Sequence, residues 1–117
     1  MGYYGNTIQC RRGDTTSITI VLKNSSGVAI NITGYTIWLT IKLFFNATDT
    51  GATIQKKAIT FTDPTNGTHT FTLSNTDTTI STGNYVYDIQ IKDTDSVITT
   101  PIVGDFEVLP EVTIGIS

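Results

Sequence analysis

Apolar and polar side chains alternate over residues 85–92, with Val86 as the one exception, and no other feature of the sequence constrains the fold as much. Every second position carries an apolar or aromatic side chain, namely Tyr85, Tyr87, Ile89 and Ile91. A period of two is typical of a β-strand with one buried face, because successive side chains of a strand point to opposite sides. The segment therefore predicts a half-buried strand.

The same alternation recurs along the chain, and turn residues interrupt it every 8–15 positions. The further segments are residues 17–23, 36–43, 54–62, 68–73 and 97–108, with a short first strand at 7–11. The 117 residues include 24 Thr, 16 Ile and 7 Val, which suit pleated sheets, but only four Ala, five Leu and one Met, which favour helices. We predict an all-β domain, an antiparallel β-sandwich of 7–8 strands.

Proline and glycine positions add local detail to this prediction. Residues 63–67 read DPTNG, and Pro followed by Asn-Gly favours a tight reversal. We therefore predict a hairpin between the segments on either side, with Ile59 and Phe61 on its buried face. Pro101 removes a backbone donor from the last segment, which predicts an edge position or a bulge there.

An aromatic pattern narrows the sandwich to an immunoglobulin-like arrangement. That arrangement places a Trp on its third strand and a corner Tyr two residues before the site of the second cysteine in disulfide-bearing domains. Trp38 lies on the expected strand, Tyr85 fits the corner, and Tyr87 takes the place of the cysteine. The chain has a single Cys, so we predict a sandwich without a disulfide, with Trp38, Tyr85 and Tyr87 as its fold-defining residues.

Charge and residue counts argue against several classes of function. Lys and Arg total 7 against 10 Asp and Glu, which gives a net charge of −3 and leaves no cationic face for nucleic-acid phosphates. One His and one Cys cannot form a zinc cluster, and no nucleophile–base arrangement is identifiable. We predict a protein that is not an enzyme, with no catalytic residue, no cofactor and no metal site.

Four short features have structural interpretations that we prefer to functional ones. His69 lies in the apolar phase of a short strand and is interpreted as a core or edge histidine, and Cys10 as a small buried residue. Asp93 and Asp95 could contribute to a calcium site, but capping of a turn accounts for them. The Arg-Gly-Asp triplet at residues 12–14 is interpreted as a turn rather than an adhesion motif.

Four aromatic residues are not explained by an alternating core face: Tyr3, Tyr4, Phe44 and Phe45. Exposed aromatic pairs provide contact area at low entropic cost and are frequent anchors at protein interfaces. We predict these four as candidate interface residues. An alternative for Phe44 and Phe45 is that one of them closes the end of the sandwich.

The first residues contain neither a basic nor an apolar segment, so we expect no secretory signal peptide, and no apolar stretch of the sequence is long enough to span a membrane. We expect an N-terminal arm or first strand at residues 1–10, the sandwich at 11–112 and a C-terminal tail at 113–117. We expect a soluble cytosolic product, or one that leaves the cell by another route.

Seven segments in a fixed order carry a resemblance to a known family. They are residues 12–15 (RGDT), 32–38 (ITGYTIW), 54–56 (IQK), 62–67 (TDPTNG), 71–78 (FTLSNTDT), 83–90 (GNYVYDIQ) and 104–108 (GDFEV). Together they resemble the immunoglobulin-like β-sandwich domain of tailed-phage structural proteins and are similar to the N-terminal domain of phage baseplate upper proteins. The match covers about residues 11–112, and the chain would be a stand-alone copy of the domain.

The resemblance implies a non-enzymatic attachment module of a tailed-phage virion, in the tail, baseplate or fibre, with no catalytic residues to carry over. Its partners would be other virion proteins and copies of itself in a multi-copy assembly, without nucleic acid or membrane insertion. Two alternatives stay open: a capsid decoration or head-associated protein, and a surface carbohydrate-binding or adhesion module in which Trp38, Tyr3 and Tyr4 provide stacking faces.

Overall fold

A computed structural model of the chain describes residues 3–4, 7–43 and 54–110. Its strands are β1 (Tyr3–Tyr4), β2 (Ile8–Arg11), β3 (Thr16–Val21), β4 (Thr36–Lys42), β5 (Ile54–Ala58), β6 (Thr68–Leu73), β7 (Gly83–Lys92) and β8 (Ile98–Leu109). The helical parts of these described residues are a 3-10 turn at Pro64–Asn66 and one α-turn, α1 (Asn75–Thr78). The predicted all-β class is confirmed, and the eight strands of the described residues agree with the predicted 7–8.

Among the described residues, the larger of two sheets contains six strands. β1 and β2 follow one another along one edge of β8, and β7, β4 and β5 continue the sheet on its other side. Pairing is antiparallel from β8 to β5, whereas β1 and β2 run parallel to β8. These parallel pairs depart from the predicted antiparallel pattern. They join opposite ends of the chain, and parallel neighbours need no short connecting turn that the sequence could reveal.

The smaller sheet consists of β3 and β6 and faces the larger one across the core. Leu39, Ile89 and Phe106 are fully buried on β4, β7 and β8, and Leu73 is fully buried on β6. Each strand contributes alternate side chains to this layer, as the period of two requires. The two sheets form a sandwich without a disulfide, and the immunoglobulin-like arrangement remains a prediction.

The hairpin predicted between the segments on either side of residues 63–67 is reduced to one antiparallel bridge, between Asp63 and Thr68. β5 pairs with β4 in the larger sheet, whereas β6 pairs with β3 in the smaller one. The strand ends at Ala58, so Ile59 falls outside the buried phase and is 65% exposed, while Phe61 packs against the core. The turn chemistry was recognised, but here it belongs to a crossing between sheets, and a local signal does not distinguish the two.

Gly67 makes that crossing possible at the end of the 3-10 turn. Its φ of 66° is left-handed, and an ideal Cβ at this position would lie 2.6 Å from the Leu22 carbonyl oxygen. Its own carbonyl accepts a hydrogen bond from the Leu22 N–H at 2.9 Å. A side chain is therefore excluded by backbone conformation and by space.

A β-bulge interrupts the long β7–β8 pair. Ile89 pairs with Ile102 and Ile91 with Thr99, so two residues of β8, one of them Pro101, lie opposite a single residue of β7. The proline thus occupies a bulge, which is one of the two positions predicted for it, and the ladder continues on either side without its missing N–H.

Polar contacts tie the loop after β6 to both sheets. Asp77 forms a capping box with Ser74 at the start of α1 and an ion pair with Lys56 of β5 at 2.8 Å. The fully buried Thr78 donates its hydroxyl hydrogen to the Asp14 carbonyl at 2.7 Å. Because Lys56 belongs to the larger sheet and α1 follows the smaller one, these bonds link the two layers.

Candidate interaction surfaces

The outer edge of β3 has no partner strand among the residues that the structure describes. Directly after β3, the Leu22 N–H donates to Gly67 on the β6 side. Backbone groups of successive strand residues point to opposite edges, so the N–H groups of Ser17, Thr19 and Val21 point away from β6. An extended segment from another chain could pair with these groups.

This β3 edge lacks the protection that proteins normally give to an exposed strand. It contains no proline and no charged residue, and the side chains of Ser17, Thr19 and Val21 are exposed. Charges, proline and bulges are the usual means by which open edges avoid pairing with other chains. The edge is therefore competent for strand addition.

The other edge of the smaller sheet is covered by the chain itself. Thr68 and Asp63 exchange two backbone hydrogen bonds of 3.0 Å, and the Thr70 N–H donates to the Thr62 hydroxyl at 3.2 Å. Residues 62–63 thus cover the start of β6 on its outer side, whereas no such contact is found along the outer edge of β3 among the described residues.

The β5 edge of the larger sheet is charged. Lys56 is on the same side of β5 as the buried Ile54 and Ala58, which lie two positions before and after it. Lys57, the next residue, is exposed. An inward-pointing charge on an edge strand opposes the addition of another strand. The contrast with β3 makes β3 the better candidate for docking.

A second surface is a shallow groove on the outer face of the larger sheet, of about 320 Å³. We call it the Trp38 groove; its lining residues are Trp38, Thr40, Gln55, Asp88, Gln90 and Ile98. Cross-strand pairing assembles it, since Trp38 lies opposite Gln90, and Thr40 lies between Asp88 and Gln55. Its chemistry is one aromatic face surrounded by amide, hydroxyl and carboxylate groups.

The bulge supplies the last wall of the Trp38 groove. Without the bulge, Ile98 would point towards the core like Ile102 and Phe106, because residues an even number of positions apart on a regular strand face the same side. The extra residue reverses the alternation, so Ile98 pairs with the outward-facing Lys92 and is 56% exposed beside the groove. Sequence reasoning missed this groove because it depends on strand register, and Pro101 was the only signal for the bulge.

The three residues predicted to define the fold take different positions. The Tyr85 hydroxyl donates to the Ser81 carbonyl at 2.7 Å, the kind of bond that a corner tyrosine makes, and burial raises the pKa of Tyr85. Tyr87 is 5% exposed and lies in the core over Gly104. Trp38 is half-buried on the outer face and does not lie between the sheets, because Ile37 and its alternate neighbours occupy the inward positions of β4.

The structure describes only part of the four aromatic interface candidates. The backbone of Tyr3 and Tyr4 forms β1, which pairs with Ile102 and Val103 of β8. Phe44 and Phe45 lie outside the described residues. All four stay predictions.

His69 and Cys10 have the structural surroundings expected of them. The Nδ1 atom of His69 accepts a hydrogen bond from the Thr62 N–H at 3.3 Å, its ring meets Phe61 and Phe71 edge to face, and burial lowers its pKa. Cys10 is 6% exposed in the core, where burial raises the pKa of its thiol. Neither group is placed as a nucleophile or base.

The two candidate motifs in turns are occupied by backbone contacts. The Asp93 carboxylate accepts hydrogen bonds from the N–H groups of Asp95 and Val97 at 2.9 and 3.0 Å. In the Arg-Gly-Asp triplet, Gly13 has a φ of 85° and donates its N–H to the Thr78 carbonyl at 3.2 Å. Turn formation accounts for both, and the described residues contain no group of three metal-ligating side chains.

Comparison with known protein families gives a match over most of the chain. The model of the BppU N-terminal domain, the N-terminal domain of baseplate upper proteins, matches residues 3–107. The chain belongs to this family. The resemblance inferred from the seven sequence segments is thereby confirmed, and the family places the chain among the structural proteins of phage baseplates and tails.

Membership of the BppU N-terminal family also bears on partners and catalysis. A baseplate domain implies association with other virion proteins and a place in the virion, and it argues against an enzyme. No curated protein matches the chain. Among the described residues, no helix is long and apolar enough to cross a membrane.

Proposed function

We propose that this BppU N-terminal domain is a non-enzymatic docking module of the phage tail or baseplate, and that it binds a neighbouring virion protein by strand addition to the β3 edge. The observation that carries the proposal is the unprotected outer edge of β3, with the N–H groups of Ser17, Thr19 and Val21 directed outward. Main-chain hydrogen bonds would provide affinity, and the exposed side chains would select the partner.

The surrounding structure supports this assignment of the edge. Among the described residues, residues 62–63 cover the start of β6 and no strand covers the outer edge of β3, so β3 is the open edge at which a third strand could extend the smaller sheet. The lysines of β5 oppose addition of a strand to that edge of the larger sheet. A two-stranded sheet is marginal alone, and a third strand would strengthen it. Docking at β3 would also leave the outer face of the larger sheet accessible.

Thr19→Pro tests the proposal, because its N–H is directed away from β6. Proline there removes an outward donor without breaking a β3–β6 ladder bond, so the domain should fold but no longer be incorporated into phage particles. Thr19→Val is the matched control: it loses the same side-chain hydrogen bond to Thr70 but keeps the backbone donor. Particles from complemented infections are purified and probed for the domain.

Thermal unfolding of each purified variant establishes that the domain is folded. If proline itself strains β3, Thr19→Lys provides a second test, since a charge at the edge opposes strand addition. The proposal predicts incorporation of Thr19→Val and loss of Thr19→Pro and Thr19→Lys. Normal incorporation of folded Thr19→Pro would show that docking does not use this edge.

A further inference from the structure

We infer that the Trp38 groove binds a saccharide, with one sugar ring stacked on the Trp38 indole. This is a second binding site on the opposite sheet from the proposed docking edge. The inference rests on the position, chemistry and size of the groove.

The two central strands beneath the groove, β4 and β7, leave no backbone groups for a ligand. β4 is paired on both sides, with β5 and β7, and β7 is paired with β4 and β8. A peptide adding as a strand needs an open edge, so an occupant here must be recognised by side chains alone. This favours a small ligand over an extended chain.

The side chains suit a ligand with both an apolar face and hydroxyl groups. Trp38 is half-buried and presents a flat ring, and the amides of Gln55 and Gln90 and the carboxylate of Asp88 stand around it. Sugars have C–H groups on one face that pack on aromatic rings, and hydroxyls that pair with amides and carboxylates at their edges. A purely aliphatic or aromatic ligand would cover these polar groups without offering them hydrogen bonds, which costs binding free energy.

Part of the groove is held in place by hydrogen bonding within the protein. The Gln55 Nε2 donates to the Thr40 hydroxyl at 3.1 Å, and Thr40 is only 6% exposed although it lies on the outer face. The bulge fixes the Ile98 wall opposite. Bulges often direct side chains at binding sites, and a fixed lining lowers the entropic cost of binding.

The dimensions are those of a small-ligand site. A volume of about 320 Å³ lies at the lower end of the roughly 300–1,000 Å³ typical of ligand pockets. The groove is shallow and open on one side, so a terminal sugar of a longer glycan could enter it while the rest of the glycan remains in solvent.

The chain contains one Trp, so intrinsic fluorescence reports on this groove directly. The purified domain is titrated with glucose, galactose, rhamnose and N-acetylglucosamine, with glycerol as a hydroxyl-bearing probe that has no ring. We expect a saturable change in Trp38 fluorescence with at least one sugar, at a half-saturation concentration on the order of 1 mM, and none with glycerol.

Two substitutions separate the groove from other parts of the surface. Gln90→Ala should weaken binding of the responding sugar about tenfold or more through lost hydrogen bonds. Gln9→Ala is the matched control, because Gln9 lies on β2 at the far side of the same sheet and contacts Glu107. Thermal unfolding shows that both variants are folded, and calorimetry of Trp38→Ala gives an independent measure of the stacking contribution.

Three results would overturn the inference. They are the absence of a saturable response to every sugar, an equal response to glycerol, and equal weakening by Gln90→Ala and Gln9→Ala. A fluorescence change on binding of a purified baseplate protein, with none for the sugars, would assign the groove to a protein interface instead.

Discussion

At the scale of single residues, Gly104 shows how one missing side chain positions an aromatic ring. An ideal Cβ at Gly104 would lie 2.6 Å from Cε1 of Tyr87, which is its direct cross-strand partner. Tyr87 is 5% exposed, so its ring has little room to move away. The glycine is therefore required by the ring rather than by the backbone.

We predict that Gly104→Ala lowers the free energy of unfolding by about 1–3 kcal/mol through overpacking. Chemical denaturation measures the loss. In a Tyr87→Leu background the ring is absent, so the same glycine substitution should cost clearly less. Equal costs in the two backgrounds would show that the ring contact is not the cause.

The Tyr85 hydroxyl makes a second single-residue contribution. Its bond to the Ser81 carbonyl fastens the start of β7 to the preceding loop. Tyr85→Phe should reduce the free energy of unfolding by about 0.5–1.5 kcal/mol, the usual net value of one hydrogen bond. Tyr35→Phe is the control, since no hydrogen bond of its hydroxyl is found among the described residues, and it should leave the denaturation midpoint nearly unchanged.

At the scale of elements, the Lys56–Asp77 pair links β5 to α1 and makes stability depend on pH. The hydrogen bond from Lys56, with the capping contacts of Ser74, holds the pKa of Asp77 below its ordinary value. A depressed folded-state pKa stabilises the protein above the unfolded value of about 3.9 and stops doing so as the pH falls through the folded value. The contribution is therefore present at neutral pH and lost in acid.

We predict that Lys56→Met lowers stability by about 0.2–1 kcal/mol at neutral pH, because the pair is partly exposed. The difference from the parent protein should vanish at an acid pH that protonates Asp77 in both proteins. Lys57→Met, on the same strand but without this partner, is the control. Denaturation at both pH values measures the effect, and a difference that persists in acid would contradict the account.

The N-terminal strand β2 provides another test at this scale. Four of its residues pair with β8, and Cys10 lies in the core, so β2 belongs to the sandwich in the structure rather than extending freely. As the only thiol, Cys10 should react slowly with a disulfide reagent, at a rate that follows global unfolding. Rapid labelling of an otherwise folded domain would mean that β2 separates readily as an arm.

At the scale of the whole molecule, the alternation of apolar and polar residues predicted a two-layer sandwich, but it did not predict which strands pair or how the chain crosses between the sheets. The β7 segment was recognised from its period of two, and Pro101 indicated the bulge. The parallel pairing of β2 with β8 and the crossing after β5 depend on contacts distant in sequence, and local turn residues cannot specify them.

The candidate surfaces were less predictable than the fold. The β3 edge is recognisable only after it is known that β6 alone pairs with β3 and that residues 62–63 cover β6. Trp38 was assigned to its strand but not to the outer face as part of a groove, because the groove combines four strands whose register the sequence does not specify. The alternation of apolar and polar residues therefore predicts the strands, whereas the β3 edge and the Trp38 groove depend on how those strands pair.

The central claim is that this domain is a docking component of the tail or baseplate. Quantitative mass spectrometry of purified phage particles tests it most directly, with copy number measured against the major capsid protein. The account predicts the domain in intact particles at a few to tens of copies. Its absence from the particles, or hundreds of copies as in a head decoration protein, would contradict it.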